Sequence, residues 1–68
     1  MKIGEAIKKL REKQNMTQVD LANKAGISPA FISLLESGDR NDMNVKIADR
    51  VAGALGVSLN EFMEIAEK

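Results

Sequence analysis

Between Thr17 and Gly38 the sequence TQVDLANKAGISPAFISLLESG carries two helix starts and two helix stops, which leaves room for two short helices and a tight turn. The Thr17 hydroxyl is placed to accept a backbone N–H of the first turn, and Asp20 completes a T-x-x-D capping box. Gly26 then ends the helix, because glycine takes the left-handed conformation of a C-terminal cap without a Cβ clash. Ser28 followed by Pro29 starts the next one almost at once. Met16 with Leu21, and Ile27 with Ile32, stand one before and four after these caps, the spacing of a hydrophobic staple.

Helices of about eight residues bury too little surface to stand alone, so they must pack on each other and on a scaffold. Leu21, Ala22 and Ala25 make one apolar stripe and Ile32 with Leu35 another, while Ala22 and Gly26 are small enough for the two backbones to come close. The unit is a helix-turn-helix over about residues 17–37. Thr17-Gln18, Leu21-Ala22, the turn glycine Gly26, Ile32-Ser33 and the E-x-G at 36–38 resemble the DNA-binding unit of the phage repressor and Cro family, the XRE-type regulators. Weaker agreement runs from Ile3 to Phe62.

The remaining segments read as helices around that unit. Ile3, Ile7 and Leu10 predict a first helix over about 2–14, with Asn15 as a left-handed stop and its apolar stripe laid across the second and third helices. After Gly38, DRNDMN has no apolar periodicity and reads as a loop. Asn44 caps a fourth helix to about Leu55, with Val45, Ala48, Val51, Ala52 and Leu55 as its stripe and Gly56 as its end. Gly53 inside it costs about 1 kcal/mol relative to alanine, a cost that close helix packing would explain. Ser58 and Glu61 form a capping box for a fifth helix to about Ala66, stapled by Val57 and Phe62. No strand is predicted, so the fold class is all-α.

Composition limits function mainly by exclusion. The 68 residues, 44% hydrophobic, make one domain over 1–68, and a core of this size supplies only about 3–5 kcal/mol, so self-association is expected. Without cysteine or histidine there is no disulfide, thiolate chemistry, zinc cluster or imidazole catalysis. Ser28, Ser33 and Ser58 have no histidine to activate them, and the scattered acids form no catalytic pair, so neither an enzyme nor any cofactor, metal or small-molecule ligand is expected. No apolar run approaches the roughly 20 residues of a membrane span, and MKIGEAIKKL lacks the apolar stretch of a signal peptide; a cytoplasmic protein is expected. The net charge is zero, yet Lys2, Lys8, Lys9, Arg11 and Lys13 gather at one end of the sequence and Glu61, Glu64 and Glu67 at the other. The basic run is either a solvated helix face or a surface that steers toward phosphates.

The resemblance implies a five-helix, lambda-repressor-like DNA-binding domain acting as a sequence-specific transcriptional regulator, a repressor on a palindromic operator. It places the third helix in the major groove, with Ser28, Pro29, Ala30, Ser33 and Leu34 at the reading positions. Thr17 and Gln18 fall at the start of the second helix, where the family's glutamine bonds a phosphate and braces the reading helix. Arg11 and Glu36 match a partly buried ion pair. Arg40 and Asn41 lie in the loop that touches DNA backbone, although the proline common there is absent and Asp39 and Asp42 flank them. SPAFISLL holds no Arg, Lys, Gln or Asn, so apolar contact of Ala30, Phe31 or Leu34 with thymine methyls is one mode of reading. The alternative is a protein-interaction module that uses Phe31 and Leu34 as an exposed patch; Phe31 folded back as partial core is a further possibility. On the last helix Met63 and Ile65 cannot all face inward with Leu59, Phe62 and Ala66, and a homodimer through them would bury the remainder. Glu61, Glu64 and Glu67 would oppose that pairing unless they point outward.

Overall fold

A computed structural model describes residues 2–40 and 43–67. Within them the chain forms α1 (Ile3–Lys13), α2 (Gln18–Ala25), α3 (Pro29–Ser37), α4 (Val45–Ala54) and α5 (Leu59–Glu67), as the all-α reading requires. Four of the five starts rest on a side-chain cap: Thr17, Ser28, Asn44 and Ser58 each accept a backbone N–H from three residues on. The backbone amides of Thr17 and Ser58 in turn donate to the carboxylates of Asp20 and Glu61, which completes two capping boxes. α1 starts without one. Asn15 stands at φ 58°, the left-handed stop expected of it. Gly26 has φ 73°, and its amide and that of Ile27 both return to the Ala22 carbonyl, which turns the chain directly from α2 to Ser28.

The core lies where all five helices meet. Ile7 of α1, Leu21 and Ala22 of α2, Ile32 and Leu35 of α3, Val51 of α4 and Phe62 of α5 are each fully buried. α2 packs on α3 and α4, α4 on α5, and α1 on α3 and α5. The Gln14 amide donates to the Leu55 carbonyl at 2.6 Å and fastens the end of α1 to the end of α4.

Several expectations are corrected by this packing. The main neighbours of α1 are α3 and α5 rather than α2 and α3. The tight backbone approach is not at Gly26 or Gly53, where an added Cβ would meet nothing within 4 Å; it is at Gly4, where one would run into the Leu35 backbone carbonyl. Val45, placed in the α4 stripe, is 73% exposed because it is the first helical residue and precedes the part of α4 that meets the core. The basic α1 and the acidic α5, at opposite ends of the sequence, are neighbours in the fold.

Candidate nucleic-acid interface

α3 is short and sits on the core by a narrow stripe. Ile32 and Leu35 are buried, Phe31 and Glu36 half-buried, and Pro29, Ala30, Ser33 and Leu34 exposed. The exposed set lies on one side, as the helical repeat dictates, and Ser28 stands exposed at its head. The Ser28 hydroxyl accepts the Phe31 amide, which leaves its own proton to donate, whereas the Thr17 hydroxyl accepts the Asp20 amide and also meets the Asp20 carboxylate. Five of the expected reading positions thus share one accessible surface. Phe31 departs from them: its ring packs against the core, which leaves Leu34, 39% exposed, as the large apolar side chain on that face. An interaction patch built on both residues is correspondingly reduced.

Behind this surface, Arg11 joins three segments. Its Nε and Nη2 donate to the two carboxylate oxygens of Glu36 at 2.8 and 2.9 Å, and Nη1 donates to the Met16 carbonyl at 2.7 Å, just ahead of the Thr17 cap. The two side chains retain 11% and 5% exposure, so this is the partly buried pair that the resemblance implies. The bond to Glu36 raises the Arg11 pKa above its ordinary value against the opposing effect of burial. The Gln18 amide donates to Glu36 Oε1 at 3.2 Å, so the start of α2 and the end of α3 share one carboxylate. That bond uses one amide N–H and leaves Gln18 a second N–H and its carbonyl oxygen.

Past α3, Gly38 adopts φ 89°, the Arg40 amide bonds the Leu34 carbonyl at 3.1 Å, and the Arg40 guanidinium lies over the Phe31 ring, 5.3 Å from its centroid. Asn41, the other loop donor expected to meet DNA backbone, is outside the described residues. On α5, Met63 is 37% exposed, whereas Ile65 is half-buried against the chain's own core, so the two do not form one outward pair. Neither the Gln18–Glu36 bond nor the Arg40–Phe31 stack had a local signal in the sequence, since no spacing rule links residues across a turn of this kind.

Two short capped helices at a tight glycine turn, with the outer face of the second left accessible on a three-helix support, define a helix-turn-helix DNA-binding domain. Residues 7–62 match the family model described as Helix-turn-helix, and the chain belongs to that family, in its XRE-type branch. It is 37% identical over 60 residues to the immunity repressor protein of Bacillus phage phi105, covering 88% of this chain and 41% of the repressor. It is 26% identical over 62 residues to the transcriptional regulator SinR of Bacillus subtilis, covering 91% of this chain and 56% of SinR. The chain therefore spans about half the length of these two relatives. Among solved structures, the restriction-modification controller protein C.Esp1396I superposes with a TM-score of 0.83 at 32% identity, over 96% of this chain and 83% of that one. SinR in complex with DNA superposes with a TM-score of 0.84 at 26% identity, over 90% and 97%. These relatives are transcriptional regulators, a class that is not enzymatic. No helix among the described residues is long and apolar enough to cross a membrane.

Proposed function

We propose that this domain binds double-stranded DNA sequence-specifically and represses transcription, with α3 laid in the major groove. The exposed Ser28, Pro29, Ala30, Ser33 and Leu34 on one side of α3 carry this reading, and likeness to the phage immunity repressor and to SinR in its DNA complex supports it. Thr17, Gln18, Arg40 and Asn41 are assigned to phosphates, and the reading face to base edges and thymine methyls. Such a protein acts in the cytoplasm.

The operator is a palindrome read by a homodimer, for which the two reading helices must stand about one DNA turn, roughly 34 Å, apart. α5 is the pairing element, with Met63 at the contact and Ile65 shared between the interface and its own core. Selection from random duplexes with the purified chain tests the reading: enrichment of a two-fold symmetric site is expected. A chain that enriches no sequence at low salt is not a sequence-specific DNA reader. Sedimentation equilibrium with and without the selected site tests the dimer, and a strictly monomeric protein bound one to one contradicts it.

A further inference from the structure

Arg40 is attached to the reading helix at two points. Its backbone amide donates to the Leu34 carbonyl at 3.1 Å, and its guanidinium carbon stands 5.3 Å from the centre of the Phe31 ring in the first turn of the same helix. Gly38 makes the return possible by turning the chain at φ 89°. The ring itself packs half-buried against the core. Stacking engages the flat face of a guanidinium and restricts its rotamers, while its N–H donors lie in the plane and stay directed around the rim.

We propose that Phe31 is a positioning residue for Arg40: the ring holds the guanidinium beside α3 for a DNA phosphate, and Phe31 serves recognition through Arg40 instead of by touching bases. The inference rests on the DNA-binding reading above and adds a specific division of labour within it. Three roles for Phe31 then separate. A base reader affects the operator alone, and a core residue affects stability alone. A positioning residue changes affinity for operator and unrelated DNA by the same factor, because phosphate contacts carry no sequence information, and it does so only while Arg40 is present.

The test is a set of duplex titrations at fixed salt, each below the melting temperature of the variant, against the selected operator and a scrambled duplex. Arg40→Ala should weaken binding to both and lower the salt slope by about 1. Phe31→Leu should weaken binding to both duplexes by roughly two- to five-fold, the scale of an exposed cation–π contact. Phe31→Tyr, which keeps the ring, should restore the loss, and Phe31→Leu should add nothing in the Arg40→Ala background. Phe31→Met replaces Phe31→Leu where the latter does not fold. In the free protein, Arg40 side-chain proton signals should be displaced upfield by the ring current and return in Phe31→Leu. A loss confined to the operator, or one of equal size with and without Arg40, overturns the inference while the DNA-binding reading stands. A wild-type chain that binds neither duplex overturns both, and the wild-type titration alone distinguishes that case.

Discussion

Arg11 and Glu36 stand 25 residues apart in sequence and meet through two parallel hydrogen bonds of 2.8 and 2.9 Å, with the remaining Arg11 nitrogen on the Met16 carbonyl. One guanidinium thereby fixes the end of α1, the approach to α2 and the end of α3. Removing either partner strands a largely desolvated charge, at about 3–5 kcal/mol. That is the scale of the entire stability of a domain this small, about 3–5 kcal/mol. Arg11→Ala and Glu36→Ala should each leave a net stability near zero, with about half of the molecules unfolded at room temperature by far-UV circular dichroism. Arg11→Met combined with Glu36→Leu, which leaves no buried charge, should recover a cooperative melt. Single variants as stable as the wild type contradict the pair's structural role.

Two glycines in helices should respond oppositely to the same substitution. Gly53 is exposed inside α4 with open space where a Cβ would go, so Gly53→Ala removes unfolded-chain entropy and should stabilise by about 0.5–1 kcal/mol, raising Tm by roughly 2–8 °C. Gly4→Ala pushes a methyl into the Leu35 carbonyl and should lower Tm, because α1 and α3 must separate to admit it. Thermal melts of the two variants decide this, and shifts of the same sign would contradict it.

Asp20 supplies an acid-sensitive part of stability. The Thr17 backbone amide, and then the Thr17 hydroxyl contact, hold its pKa below the ordinary 3.8. A depressed folded-state value means that the contribution is fully present above the unfolded value and is lost as pH falls through the folded one. The Tm difference between wild type and Asp20→Ala should therefore stay constant from neutral pH down to about pH 4 and shrink below it. A difference that persists unchanged under strong acid would show that the charge of Asp20 does not matter to the cap.

Gln18 donates one amide proton to Glu36, a bond that does not use its second N–H or its carbonyl oxygen. Gln18→Ala should weaken binding to operator and unrelated duplex alike, since a phosphate contact positions the protein without reading sequence. Unchanged affinity at low and moderate salt would reduce Gln18 to a brace within the fold.

Reading by Ala30 and Leu34 is testable on the DNA itself. Uracil in place of thymine in the selected site removes only the methyl groups, and affinity should fall. Equal affinity for the two sites would move specificity to Ser28, Ser33 and the shape of the duplex.

The sequence alone determined the start and stop of nearly every helix, and with them the helix-turn-helix. Thr17, Gly26, Ser28, Asn44, Ser58 and Asn15 act through bonds and dihedral angles that span four residues or fewer, so their effect is written in adjacent letters. The Arg11–Glu36 pair was legible only through family resemblance, as no local rule joins residues that far apart. Tertiary structure alone decided that α1 lies against α3 and α5, that Gly4 rather than Gly26 or Gly53 is the point of close approach, that Ile65 is drawn toward the core while Met63 is not, and that Phe31 faces Arg40. Each of these depends on which helix arrives at a given face and at what distance. Periodicity identifies an apolar stripe but does not name the helix that will cover it.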